Sequence, residues 1–217
     1  MPAPFDLLPL FGKGILVTLQ LAAASAALAF VVSFVAGLSR LSKLRVLRWV
    51  TAGYVETFRG SSLLVQMFWF MYAFSILTEM RSMPPFLAGA LAIGLNYGAY
   101  GSEIVRSAVK AVPTGQTEAS VALNFTAFQR MRLVILPQAF RMMLPSFGNL
   151  LIELLKATSL ASLITIGDMT YRANVINNTL YRTDEIYLIL LLLYFVIAYP
   201  LLRLTRWYER NASAGRS

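Results

Sequence analysis

Ile15 to Leu38 reads ILVTLQLAAASAALAFVVSFVAGL, 24 residues without a charge. At about 1.5 Å of rise per residue, a helix of that length crosses a hydrocarbon core about 30 Å thick. The run exceeds the apolar core of a signal peptide, and the residues before it carry only Lys13, with no basic n-region. Its centre, AAASAA (22–27), is built of side chains small enough to let a second helix approach closely. The rest of the chain shares the bias. Of 217 residues, 58% are hydrophobic and 13% charged, which no single water-soluble core accommodates, so lipid must cover part of the surface. Cysteine and histidine are both absent. That excludes a disulfide framework and thiolate metal sites, and it removes the commonest general base.

Outward from this first span (15–38), four further apolar runs predict spans at about 58–78, 86–109, 147–166 and 186–203. The expectation is one all-α domain over residues 1–217, an integral membrane bundle of five transmembrane helices. Ser61 to Leu77 is rich in aromatics, including Phe68, Trp69, Phe70, Tyr72 and Phe74, and reads as lipid-facing or core. Glu79 to Pro85 reads as a turn, because Met83-Pro84-Pro85 imposes extended backbone. Gly94, Gly98 and Gly101 lie at small-residue spacing and predict a tight helix contact. Asp168 to Glu185 is a polar connection with room for a short helix.

Basic residues set the expected orientation. Five spans place Arg40, Lys43, Arg45, Arg48, Arg59, Arg106, Lys110, Arg130, Arg132, Arg141, Arg203, Arg206, Arg210 and Arg216 on one side. Lys13, Arg81, Arg172 and Arg182 fall on the other, with Lys156 inside a span. Positive charge stays in the cytoplasm, so the N-terminus is expected outside and the C-terminus inside. The excess of positive charge thus follows topology and faces lipid, and nucleic acid is not an expected partner.

The longest polar interlude, TGQTEASVALNFTAFQRMRLVILP (114–137), falls on that cytoplasmic side. Thr114 is a suitable N-cap for a helix to about Leu123, and Asn124 tolerates the left-handed turn that ends one. Thr126 and Gln129 have the spacing of a capping box, and Pro137 should end or kink the second helix. Two short helices around a tight turn, with Ala119, Ala122, Leu123, Phe128 and Met131 as apolar contacts, suit a docking partner.

Glu118-Ala119-Ser120, Asn124 and Val134-Ile135-Leu136-Pro137 reproduce the spacing of the signature E-A-A-x3-G-x9-I-x-L-P. On these residues the chain resembles the membrane permease subunits of ABC importers. RSAVKAVPTGQTEAS (106–120) and GNLLIELLKATSL (148–160) are similar to the polar amino acid permeases among them. Ser120, Asn124 and Val134 stand where the signature has Ala, Gly and Ile, and Ala157 stands where the family often has an acid. The resemblance implies that 114–137 is a coupling segment gripped by a cytoplasmic ATPase, with Glu118, Ala119, Ser120, Asn124, Phe128, Arg130 and Pro137 as its residues. It also implies a second permease subunit, identical or not, two cytoplasmic ATPases that hold the ATP and Mg, and an extracytoplasmic solute-binding protein. The cargo so implied is a polar amino acid or a related zwitterion such as ectoine, carried across a bacterial inner membrane.

Ionisable and amide groups inside spans are costly and face a partner or a wet cavity. Glu153 and Lys156 lie at i,i+3 with Thr158 and Ser159 beyond. They line a translocation path for a zwitterion or pair with one another to fix packing. Gln66 and Asn96 are further path candidates, and interhelical hydrogen bonding explains them as readily. Glu103 and Arg106 sit at a helix end, where snorkelling or capping accounts for them. No G-x-x-x-x-G-K-[ST] motif, nucleophile–base pair or metal cluster occurs, so the chain is expected to hold no cofactor and no catalytic site. Two readings from other classes fit the same spans: a membrane scaffold or regulatory subunit that carries no solute, and a secondary transporter. The second lacks an inverted repeat.

Overall fold

The computed structural model describes residues 5–77 and 83–214, and every regular element among them is helical. A single 3₁₀ turn, Phe5–Leu7, leads into α1 (Leu8–Ser39), and α2 (Arg45–Gly60) follows. Helix α3 (63–77) contains a π-helical stretch at Trp69–Ala73, and α4 spans Pro85–Ala111. Helix α5 (Thr114–Ala122) is short. Helix α6 (127–157) starts at Ala127–Gln129, widens to π geometry over Arg130–Ile135 and continues as Leu136–Ala157. A 3₁₀ segment, Thr158–Ile164, precedes α7 (Met169–Leu180) and α8 (Thr183–Ala214).

Among the described residues, three helical segments are long and apolar enough to cross a membrane: Leu8–Ser39, Ala127–Ile164 and Thr183–Tyr208. Helix α4 has the length, 27 residues, but not the hydropathy, because its glycines, Asn96 and tyrosines dilute it. The reason is its place in the bundle. About half of α4 is buried, with α1 on one flank and α6 on another. A Cβ on Gly94 would stand 2.9 Å from the Leu28 Cβ, and one on Gly98 would stand 2.8 Å from the Val32 Cβ. The small-residue spacing read from 94–101 is therefore where two backbones meet, and dispersion at that close approach holds them together. Leu21, Met67, Ile93, Leu154 and Ile164 join α1, α3, α4, α6 and the 3₁₀ segment in one core.

Four sequence expectations change. The second apolar run is two helices, broken at Ser61–Ser62, where the backbone turns extended. Thr114 is the first helical residue and Pro113 occupies the cap, so the Thr114 side chain caps nothing. Pro137 neither ends α6 nor is excluded from it. It is the second residue after the π-helical stretch, where the Leu136 N–H reaches back five residues to the Met131 carbonyl. A wide turn makes room for a ring that would clash in a tight one. The run expected at 147–166 is α-helical only to Ala157, and the chain then tightens to 3₁₀ and reverses at Thr165, whose φ is 64°. The polar connection does hold its short helix, α7. Of the turn expected at Glu79 to Pro85, residues 79–82 lie outside the described residues, while Pro84 is extended as expected.

Candidate functional site: a paired-helix handle and a polar helix face

Helix α5 and the start of α6 form one tightly closed unit. Asn124 sits at φ 59°, one residue beyond the C-cap. The Phe125 N–H donates to the Ser120 carbonyl (3.0 Å) and the Asn124 N–H to the Val121 carbonyl (2.9 Å), which satisfies the helix's last acceptors. The capping box is present: the Gln129 N–H donates to the Thr126 hydroxyl (3.3 Å) and the Thr126 N–H to Gln129 Oε1 (2.9 Å). The Gln138 amide bridges back to Gln116 Oε1 at 3.2 Å, tying the two helices below the turn.

With its turn closed and its second helix capped, the unit nevertheless exposes apolar side chains. Phe128 is 71% and Leu123 69% exposed, with Val121 and Leu133 beside them in the chain. Glu118, Ala119, Asn124 and Pro137 are exposed too, and Arg130 is half-buried. Ser120 differs. It is 2% exposed, and its hydroxyl donates to the Gln116 and Thr117 carbonyls at 2.8 Å. Ser120 therefore packs the helix onto the bundle and is not available to a docking partner.

Glu153 and Lys156 do not pair with one another among the described residues; both are exposed. With Ser146 and Asn149, also exposed, they make a stripe at spacings of three, four and three along one face of α6. A hydroxyl, an amide, a carboxylate and an ammonium in line do not face hydrocarbon. The sequence reading found two members of this stripe and missed Ser146 and Asn149, which only their helical register reveals. Thr158 is fully buried and donates to the Leu155 carbonyl (2.7 Å), so it does not join the stripe. Ser159, half-buried, donates to the Lys156 carbonyl (2.8 Å).

Gln66 and Asn96 meet at the α2–α3 break. Asn96 Nδ2 donates to the Phe58 carbonyl (2.8 Å) and to Gln66 Oε1 (3.1 Å). Gln66 Nε2 donates to the same carbonyl (2.9 Å) and to the Ser61 hydroxyl (2.8 Å). A helix that stops within apolar surroundings leaves carbonyls without partners, and these two amides replace the missing turn. Their polarity is spent on the scaffold. A cleft of about 290 Å³ opens beside them, lined by Thr57, Phe58, Ser61, Val65, Gln66, Trp69 and Phe70. The aromatic run thus divides between this cleft and the surface.

Of two further polar centres, the sequence showed Glu103 beside Arg106 at a helix end, while Asp168 carried no signal beyond residue type. Glu103 accepts from Arg106 Nε (2.8 Å) and from Arg40, with Arg59 at 3.6 Å, so one carboxylate ties the ends of α1, α2 and α4. Asp168, fully buried, caps α7 by accepting from the Tyr171 N–H (2.9 Å) and the Thr170 N–H (3.3 Å). Burial pushes its carboxyl above the usual range, and those N–H groups oppose the shift. At the same end of the bundle Arg182 pairs with Glu185 and with Asp6 (2.9 Å). The hydrogen bond from Arg182 holds the Asp6 carboxyl below its ordinary value. No group of acids able to hold a metal ion occurs among the described residues.

A helical membrane bundle that exposes an apolar-tipped paired-helix unit and a polar helix face fits a membrane transport subunit. Residues 13–213 match the family of binding-protein-dependent transport system inner membrane components. The chain is 43% identical over 215 residues to a probable amino-acid ABC transporter permease of Sinorhizobium fredii, covering 97% of this chain and 90% of that one. It is 36% identical to an L-cystine transport system permease of Bacillus subtilis, covering 96% and 91%. A solved amino acid ABC transporter with histidines superposes with a TM-score of 0.88 at 33% identity, covering 97% and 100%. The methionine transporter MetNI shares the fold, with a TM-score of 0.72 at 19% identity. The chain belongs to the permease subunits of binding-protein-dependent ABC importers, in the polar amino acid transport family. It is a multi-pass inner-membrane protein and not itself the ATPase, and membership implies ATPase and binding-protein partners.

Proposed function

We propose that the chain is one of two permease subunits, each with five spans, that carry a polar amino acid or a similar zwitterion between them. Five helices do not enclose a solute path with walls all round; ten do. The N-terminus lies outside and the C-terminus in the cytoplasm. Each subunit presents 114–137 to one of two cytoplasmic ATPases, with Glu118, Ala119, Asn124, Phe128, Arg130 and Pro137 at or beside the contact. When the ATPases close, the handles approach one another and the rigid α5–α6 unit tilts α6, opening the path to the other side. An extracytoplasmic binding protein delivers the solute to the outer loops, including 168–185.

The cargo reading rests on the named relatives, which include an L-cystine permease and an octopine permease, and on the α6 stripe. Opposite charges one turn apart, at Glu153 and Lys156, match the two charges of a zwitterion. The observation that carries the coupling is the handle's tip: a hydrogen-bonded turn and a capping box beneath exposed Phe128 and Leu123 make a surface prepared for a partner. Glu118→Lys is expected to abolish ATP-driven uptake into proteoliposomes while membrane insertion stays normal. Normal uptake by that variant would remove the coupling assignment.

A further inference from the structure

Helix α2 is the element the transport reading leaves unexplained. Only its second half meets the bundle: Tyr54 donates to the Leu95 carbonyl (2.6 Å), Val55 is buried against Ala36 and Ala99, and Arg59 reaches Glu103. The first half stands clear, with Val46, Trp49 and Val50 exposed, Trp49 by 78%. At 100° per residue, Val46, Val50, Gly53 and Thr57 fall on one face of α2, and Arg45, Arg48 and Glu56 on another. Both faces are exposed at those residues. The apolar face runs on into the half-open cleft of about 290 Å³, because Thr57 also lines it. Lys43, Arg45 and Arg48 cluster at the opposite end, each exposed and without an ion-pair partner among the described residues.

We propose that α2 and the cleft at the α2–α3 break form a binding site for one anionic phospholipid, its headgroup on Lys43, Arg45 and Arg48 and an acyl chain in the cleft. The spacing suits such a molecule, since Arg45 and Thr57 stand about 18 Å apart along the helix. Headgroup charge and acyl chain then each meet a matching surface, as in other interfacial amphipathic helices. A second copy of the chain fits less well, because a symmetric contact through this face would bring Arg45 and Arg48 of both copies together. The leaflet follows from the orientation proposed above and is cytoplasmic.

Trp49 on the helix and Trp69 in the cleft make the site readable in the full chain. The protein is placed in nanodiscs of phosphatidylcholine containing a small fraction of brominated phosphatidylglycerol or, separately, of brominated phosphatidylcholine. The Trp49 signal is taken as the difference between the wild type and W49F. Brominated phosphatidylglycerol is expected to quench Trp49 and Trp69 at a much lower fraction than brominated phosphatidylcholine does. Each basic side chain contributes about fivefold to that preference, so R45Q/R48Q should lower it by about 25-fold. Raised salt should weaken it as well. Equal quenching by the two lipids would overturn the proposal. So would absence of quenching by either, which would give the face to a second copy or another protein. ATP-driven uptake, measured in proteoliposomes that hold the same protein together with its ATPase and binding-protein partners, separates this from the transport reading. Uptake without lipid preference sinks the site alone, and preference without uptake sinks the transport reading alone.

Discussion

Removing the Asn96 amide tests whether the α2–α3 break is held by side chains. In Asn96→Ala the Phe58 carbonyl keeps one donor, Gln66 Nε2, but Gln66 Oε1, on a residue only 8% exposed, loses its Asn96 donor. Two hydrogen bonds disappear, each contributing about 0.6–1 kcal/mol between membrane helices. The orphaned acceptor adds about 1–3 kcal/mol. The lower sum, near 2 kcal/mol, is the better expectation, because Gln66 can turn toward the Ser61 hydroxyl. Gln66→Leu removes that acceptor, so the double variant should cost less than the two single variants together, by about 1 kcal/mol. Reversible unfolding in mixed micelles, followed by circular dichroism, measures all four corners of the cycle. Strict additivity would refute the argument, since it would mean that the two amides do not act on one carbonyl together.

Gly98→Val puts a branched side chain against Val32 and should destabilise the α1–α4 contact by about 1–3 kcal/mol in the same unfolding assay. Phe128→Asp should leave the melting temperature of the isolated permease unchanged, because the ring is exposed, while abolishing co-purification with the ATPase. The raised Asp168 carboxyl makes ionisation unfavourable to the fold. Wild-type stability relative to Asp168→Asn should therefore fall as pH rises from about the ordinary value of 3.8 through the raised value, then level off. Asp6 has the opposite sign: its contact with Arg182 stabilises above the ordinary carboxylate value and is lost as pH falls through the depressed one, a loss that Asp6→Asn should not show in acid thermal melts.

What could be read in the sequence was whatever depends on local chemistry. The left-handed Asn124, the Thr126–Gln129 box and the glycine spacing of α4 each have a cause within a few residues, and each is where it was expected. What could not be read depends on distant neighbours. Pro137 looked like a helix end or a kink, and that the helix runs through it was not legible because the π-helical stretch that accommodates it has no residue signature. For Gln66 and Asn96, 30 residues apart, path contact and interhelical hydrogen bonding read equally well, because nothing local shows that both amides reach one carbonyl. Ser120 sits in the family signature and yet faces inward, since burial is decided by the bundle beneath it. Asp168 reads as an ordinary loop acid until α7 folds over α1, with the Met169 N–H on the Thr18 hydroxyl (3.1 Å), and closes it off from water.

These differences bear on how a stroke could pass from the handle to the path. A force applied at Phe128 enters a helix that is continuous through 127–157 and carries the Ser146–Asn149–Glu153–Lys156 face on its far half. Under the proposed coupling α6 acts as a lever; its backbone hydrogen bonds change register over the π-helical stretch at Arg130–Ile135 and lack one donor at Pro145. The α-helix then gives way at Thr158 to a tighter 3₁₀ segment and a left-handed residue. A lever with a changed register near one end and a sharp stop at the other can tilt as a body, so the polar face turns when the handle moves. On the proposed stroke the sensitive positions are the lever's two ends, whereas the α2–α3 break is fastened to α4 by Asn96.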